Sequence, residues 1–159
     1  LIKSLVASAT EYCQTRTNRQ FVNATYKWYL DLWPALWWDV PRPPLSSVTS
    51  ITYVDQDGTT QTLASTVYTV DTDSTPGRIY LAYNQTWPTI RAIRKAITIT
   101  LVAGYGAASA VPSSVKPAMK LLIAHWFEHR EAIVTGTISK NLELAVDSLL
   151  GIHKVPMVA

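Results

Sequence analysis

Residues 96–136 constrain the fold more than any other part of this sequence, because they contain a strand pattern, a glycine turn and a helix pattern in succession. Ile97, Ile99 and Leu101 alternate with threonines, which is the period-two pattern of a half-buried strand. A Gly-Tyr-Gly turn ends this strand, and an apolar stripe at helical spacing then covers residues 115–133. The segment therefore predicts a sheet and a helix that pack in the same protein.

The helix predicted at 115–133 has a marked beginning. Ser114 is placed to cap it. Pro117 lies in the first turn, where backbone N–H groups have no hydrogen-bond partner within the helix, so the N–H that proline lacks is not needed there. Its two faces differ in polarity, with Val115, Met119, Leu122, Trp126 and Ile133 on one side and Lys116, Lys120, Glu128 and Glu131 on the other. This pattern predicts a helix that buries one face.

Two further helices flank the middle of the chain. An apolar stripe that ends near Arg19 predicts the first, and it consists of Leu1, Leu5, Val6, Ala9, Tyr12 and Cys13. The last is predicted at 142–150, where Asn141 is placed as the cap and Gly151 as the stop.

The region between these helices reads as several short strands. Residues 24–33 alternate, with Tyr26, Trp28, Leu30 and Leu32 on one apolar face. Residues 48–54 and 59–63 flank an Asp-Gly pair, which is a hairpin signal. Two more short strands are expected at 67–70 and 78–82. The predicted fold class is α+β, a small helical bundle with an inserted antiparallel sandwich or barrel-like β region.

At 159 residues the chain has the size of one domain. We expect a single domain over 1–159, with a helical scaffold at 1–20 and 113–151, a β-rich insertion at 24–106 and an apolar C-terminal tail at 152–159. Six Trp and eight Tyr exceed what a core of this size requires, and only 16% of residues are charged. This composition predicts apolar surface that a partner covers.

One motif points to a metal enzyme. His125, Glu128 and His129 match H-x-x-E-H, in which two His one helical turn apart bind zinc and Glu acts as general base. A catalytic zinc needs a third protein ligand, and neither Glu143 nor Asp147 lies in a recognisable cleft. The interpretation adopted is a packed, hydrogen-bonded His pair, with no metal and no cofactor.

Charge and cysteine content exclude other classes. The net charge of +3 is too small to indicate a nucleic-acid-binding protein by itself. The densest basic cluster is Arg91, Arg94 and Lys95, which is either a solvated loop or a contact to DNA or to an acidic partner. Cys13 is the single cysteine, so no internal disulfide can form, and we expect it to be buried as a small hydrophobe. No apolar run approaches the roughly 20 residues of a membrane span.

A proline-rich segment around Trp37, Trp38 and Arg42 is a candidate interface. Three prolines at 41–44 force an extended loop. Adjacent Trp side chains point to different sides, so one is expected on the β region and the other at an edge or on a partner. A row of exposed aromatics could instead stack on sugars, although only Asp39 is close enough to bind hydroxyls.

The tail offers a second candidate interface, at His153, Lys154, Val155, Pro156 and Met157. An apolar tail that contains Pro suits docking onto another chain, for example as a strand added to a sheet edge. A tail that folds back on its own subunit is the alternative.

The chain resembles siphophage head–tail connector proteins, also called adaptor or head-completion proteins. The C-terminal half of that family is similar to the runs AGYG, VPSSVKPAM and LLIAHWFEHREAIVTG. Its β-rich middle is similar to PRPPLSSVTSITYVDQDGTTQTL, YTVDTDSTPGRIY and TWP. The resemblance covers about residues 1–152. Members normally carry another helix before the first one seen here, so we expect an upstream segment.

The resemblance implies a structural virion protein with no enzymatic activity. It implies a ring of identical subunits, twelvefold like the portal, at the head–tail junction of a virion assembled in the bacterial cytoplasm. One face of the ring would bind the portal protein and the other a stopper or tail-completion protein, while DNA passes through the bore without sequence specificity. It implies no contact with a membrane. The alternative function is a carbohydrate-binding β module of a tail-associated protein.

Overall fold

The computed structural model describes residues 1–128 and 140–156. The chain is of mixed α+β class, as predicted, and these residues form three α-helices and seven β-strands. The helices are α1 (Ile2–Thr17), α2 (Val115–Glu128) and α3 (Lys140–Leu150). The strands are β1 (Ala24–Leu30), β2 (Trp37–Asp39), β3 (Leu45–Val54), β4 (Thr60–Thr62), β5 (Tyr68–Asp71), β6 (Arg78–Leu81) and β7 (Ile97–Ala103).

The larger sheet has four antiparallel strands in the order β1-β7-β3-β4. Strand β7 lies inside it and alternates strictly between buried and half-buried residues, which confirms the period-two prediction for Ile97, Ile99 and Leu101. The predicted hairpin also forms between β3 and β4. Its turn places Gly58 at φ +90°, a conformation that glycine adopts without steric cost.

The smaller sheet has three antiparallel strands in the order β2-β6-β5. Strands β5 and β6 lie where short strands were predicted. Strand β2 corrects the prediction of a continuous loop, because Trp37–Asp39 pair with β6 before the prolines begin. The prolines that follow cannot donate to a ladder, so the strand stops at three residues.

The two sheets enclose one hydrophobic core, as in a sandwich. Both contribute fully buried side chains, and partly buried aromatic residues from β1 and the loops complete it. The buried members are Trp38, Val40, Leu45, Ile51, Leu63, Ile79, Ile97, Ile99, Leu101 and Ala103. The apolar face predicted for residues 24–33 is confirmed at Tyr26, Trp28 and Leu30, but Leu32 lies beyond the end of β1 and is exposed.

The three helices build a second core. Its buried side chains are Ala9, Cys13, Phe21, Val111, Val115, Ala118, Leu122, Val146 and Leu150. The predicted stripe of α2 is confirmed, with Met119 and Trp126 packed against this cluster, while Ile133 lies outside the described residues. Helix α1 ends two residues before Arg19, at Thr17, where Asn18 adopts the left-handed conformation. Asn141 lies inside α3 rather than at its cap, and Gly151 opens a 3-10 turn.

The residues directly after β7 join the two cores. The Gly104 and Tyr105 backbone N–H groups donate to the carbonyls of Pro44 and Phe21 at 2.9 and 3.0 Å. Gly104 has φ +132°, and a Cβ placed on it would lie 2.7 Å from the backbone nitrogen of Asn23. This close approach of two backbone segments holds the helices against the end of the larger sheet.

Candidate interface surfaces

Most of the tryptophan content lies inside the protein. Trp33 stacks on Trp87 at 4.7 Å, and Trp38 packs against both of them and against the edge of Trp28. The indole N–H of Trp33 donates to the Pro88 carbonyl at 2.8 Å, which satisfies its polar end. The six tryptophans therefore do not by themselves indicate a partner, which corrects that part of the argument from composition.

Trp37 and Trp38 point to opposite sides of β2, as expected of neighbours in a strand. Trp38 is only 9% exposed and belongs to the core, so it offers little surface to a partner. Trp37 is 45% exposed and faces outward beside its cross-strand neighbour Tyr80. Of the two predicted interface tryptophans, Trp37 is the one whose ring a partner could reach.

A charged pair borders the Trp37 ring. The Arg78 guanidinium lies 5.0 Å from the centre of that ring and donates from Nε to Asp39 Oδ1 at 3.0 Å. The indole N–H of Trp37 lies 3.3 Å from Asp39 Oδ2. Asp39 is thus already engaged by two neighbours. The aromatic ring and the guanidinium on the outside of this sheet are side-chain types that are enriched at protein interfaces.

Arg42 lies between two prolines in the left-handed conformation, at φ 59°. Its guanidinium lies 5.1 Å from the centre of the Tyr26 ring, and the residue is exposed. The cation–π contact orients the side chain while the charge remains accessible to a partner.

The described part of the tail, residues 152–156, folds back on its own chain. The Val155 N–H donates to the Thr17 carbonyl at 3.0 Å, and the Val155 side chain is 6% exposed. His153 Nε2 lies 2.6 Å from Ser114 Oγ, and its carbonyl accepts from Arg19 Nε at 2.6 Å. Of the two alternatives left open for the tail, these residues adopt the second, in which the tail folds back on its own subunit. Met157 lies outside the described residues.

The environment of His153 disfavours its charged form. Burial lowers the pKa of the imidazole, and the nearby Arg19 guanidinium lowers it further. The Ser114 hydroxyl, predicted as a helix cap, contacts this imidazole instead.

A cleft of about 580 Å³ brings the two predicted interface segments together. Trp37, Asp39 and Pro41 line it together with Val155 and Pro156. These segments are more than 100 residues apart in the sequence, so their proximity depends on how the tail packs.

The basic loop Arg91, Arg94 and Lys95 is exposed throughout. Its end is fixed by Asp31, whose carboxylate accepts the Lys95 backbone N–H at 2.6 Å. The Lys95 ammonium lies 5.3 Å from the centre of the Tyr29 ring on β1. The loop is therefore attached to the edge of the larger sheet.

An ion cluster that the sequence interpretation missed connects α1 to α3. Arg16 makes two hydrogen bonds to Asp147, one of them from Nε at 2.7 Å, and lies 3.6 Å from Glu143. The hydrogen bond from Arg16 holds the pKa of Asp147 below its usual range. The sequence does show that Glu143 and Asp147 have the i, i+4 spacing of neighbours on one helix face. Local spacing does not indicate that both acids contact Arg16, which is more than 120 positions away.

The proposed zinc motif cannot be assembled from the described residues. His125 is half-buried and Glu128 is exposed on α2, while His129 and Glu131 lie outside the described residues. Within residues 1–128 and 140–156, no group of three or more His, Cys, Asp or Glu side chains could hold a metal ion. Cys13 is buried as predicted, and burial raises its pKa to about 11. Across the same residues, no helix is both long and apolar enough to cross a bilayer.

No protein-family model matches this chain, and no curated protein sequence matches it. Solved structures do match. A chain of the neck of a native gene transfer agent (GTA) particle, computed with C12 symmetry, has a TM-score of 0.80 at 22% identity over 99% of this chain and 84% of that chain. A chain of the native GTA virion gives the same score and identity over 78% of its length. A chain of the neck of the empty particle, computed with C6 symmetry, gives 0.80 at 23% identity over 79% of its length. The chain has the fold found in GTA neck structures over nearly its whole length.

Proposed function

We propose that this chain is a structural protein of the head–tail neck of a phage-like particle. The observation that carries the proposal is the match of 99% of the chain to a component of a particle neck at a TM-score of 0.80. A match of this extent includes both cores, so the likeness is not limited to one common motif. The role that follows is assembly rather than catalysis.

The finer part of the proposal is that the chain is a connector, or adaptor, which forms a ring between the portal protein and a stopper or tail-completion protein. Neck structures with C12 and C6 symmetry support a ring of identical subunits. A closed ring needs two different, complementary surfaces on each subunit. The outward face of the smaller sheet, with Trp37, Tyr80 and Arg78, is one candidate for such a contact. The exposed residues Arg42, Lys154 and Pro156 lie on candidate contacts as well.

DNA would pass through the bore of this ring without sequence-specific contacts to its bases. The basic loop Arg91, Arg94 and Lys95 supplies exposed positive charge, which attracts the phosphate backbone whatever the sequence. The location that follows is the head–tail junction of the virion, after assembly in the host cytoplasm.

The test is the native mass of the protein, measured by native mass spectrometry alone and with portal protein. We expect either a closed ring, or a monomer that becomes a ring on the portal. A monomer that does not bind the portal protein would contradict the connector role. A glycan-array measurement on the same sample would then decide whether the carbohydrate-binding function replaces it.

A further inference from the structure

The outward face of the larger sheet is made almost entirely of hydroxyl groups. The strand register places Lys27, Thr100 and Ser50 side by side across β1, β7 and β3. The next row of the same face holds Tyr29, Thr98 and Thr52. All six are half-buried or exposed, whereas the residues between them point into the core.

No outward position in these two rows carries a carboxylate, and all of them lie in the described part of the chain. Lys27 contributes one positive charge. Lys95 contributes a second, because its ammonium lies 5.3 Å from the centre of the Tyr29 ring at the end of the face. Asp31, which follows β1, is an acid beside this loop, and its carboxylate accepts the Lys95 backbone N–H. Arg91 and Arg94 precede β7 in the same loop.

We propose that this face contacts the phosphate backbone of duplex DNA. Lys and the hydroxyls of Ser, Thr and Tyr are groups that proteins use to contact phosphate and sugar without reading bases. The proposal rests on the proposed function, which places DNA beside the protein, and it assigns the contact to one surface of the fold.

The composition of the face favours DNA over an acidic protein partner. Stable protein interfaces have an apolar or aromatic centre from which water is excluded. Here the two rows offer a single aromatic ring, Tyr29, and the Lys95 ammonium lies 5.3 Å from its centre. Hydroxyl groups spread over a sheet can make many weak contacts to the evenly spaced phosphates of DNA.

The dimensions also fit. Strands β1 and β7 each have seven residues, which corresponds to about 23 Å at roughly 3.3 Å per residue. A DNA duplex carries one negative charge per about 1.7 Å of its axis. A duplex lying along the strands would therefore present several phosphates to the face.

The experiment measures the affinity of the full chain for a fluorescent 40-base-pair duplex of mixed sequence, over a series of KCl concentrations. The charge variant is Lys27→Gln with Lys95→Gln. Its matched control is Lys116→Gln with Lys120→Gln, which removes two exposed positive charges from α2. We expect the slope of log affinity against log salt to fall by about 1.8 in the charge variant, at about 0.9 per lost phosphate contact, and to stay near wild type in the control.

A second variant, Thr98→Val with Thr100→Val, removes hydroxyls and keeps side-chain shape and charge. We expect weaker binding with an unchanged salt slope, because neutral contacts release no counterions. Thermal unfolding of each variant checks that the sheet is intact.

Three outcomes would overturn the inference. These are no salt-dependent binding by the wild type, equal losses in the charge variant and its control, and loss of portal binding with DNA affinity unchanged. The last would assign the face to a protein partner. The native-mass experiment keeps the two proposals distinguishable. If the protein forms a ring on the portal but does not bind DNA, the connector role stands and the DNA-contact inference fails. If it binds DNA but forms no ring, only the connector role fails.

Discussion

Single residues decide how the two cores of this protein meet. Gly104 lies where β7 passes against the beginning of β1, at φ +132° and with no room for a Cβ. Gly106, two residues later, has φ +105° but no atom within 4 Å of the position of a Cβ. Both glycines have a positive φ and they differ in crowding, so comparing them distinguishes the cost of the backbone conformation from the cost of a clash.

We expect Gly104→Ala to lower the free energy of unfolding by about 2–4 kcal/mol, because a clash with fixed backbone adds to the cost of a positive φ. Gly106→Ala is the matched control and should lower it by about 1–2 kcal/mol, which is the conformational cost alone. Urea unfolding followed by fluorescence measures both. Equal losses in the two variants would show that crowding at Gly104 has no effect.

Among the elements, α1 and α3 depend on each other through contacts that are remote in sequence. The Tyr12 ring meets the edge of Trp126 at 6.4 Å and joins α1 to α2, while Arg16 joins α1 to α3. The Arg16 and Asp147 side chains are 40% and 36% exposed, so solvent screens their attraction.

We expect Asp147→Asn to destabilise the protein by about 0.5–1 kcal/mol at pH 7, as for a well-formed exposed ion pair. The pKa of Asp147 is lowered in the folded protein, so its stabilisation is complete above the unfolded-state value of about 3.9 and is lost as pH falls through the folded-state pKa. The difference between wild type and variant should therefore shrink as the pH falls below this unfolded-state value.

The measurement is urea unfolding at pH 7 and at low pH, for wild type, Asp147→Asn, Arg16→Met and the double variant. Glu143→Gln is the control, since Glu143 lies farther from Arg16, at 3.6 Å. A double variant whose loss equals the sum of the single losses would mean that the two residues do not interact.

For the whole molecule, the central question is which surface the chain offers to its neighbours. Adjacent tryptophans on β2 give a direct comparison, because one is in the core and the other is on the outward face of the smaller sheet. Under the proposed function, the outward ring contributes to assembly and the inward ring to stability.

We expect Trp37→Ala to change the free energy of unfolding by less than about 1 kcal/mol, since an exposed cation–π contact is worth about that much, and to weaken ring formation with the portal. Trp38→Ala should destabilise the fold by about 3–5 kcal/mol, because a large buried ring leaves a cavity. Chemical unfolding and native mass spectrometry are the two measurements. Normal assembly of Trp37→Ala would remove this face from the candidate contacts.

Local pattern in the sequence was sufficient for most of the elements, although not for β2. The alternation of β7, the Asp-Gly hairpin and the apolar stripe of α2 were all predicted, because backbone geometry repeats every two or 3.6 residues and burial follows that repeat. Cys13 was likewise predicted to be buried, since its position on the stripe of α1 determines its environment.

Tertiary structure alone decided what depends on residues far apart in the chain. Trp37 and Trp38 are equivalent in the sequence, and only the pairing of β2 with β6 turns one outward. The return of the tail onto Thr17 and the pairing of Arg16 with Asp147 join positions more than 130 residues apart. Periodicity constrains which side of an element is buried, but it carries no information about which other element lies against that side.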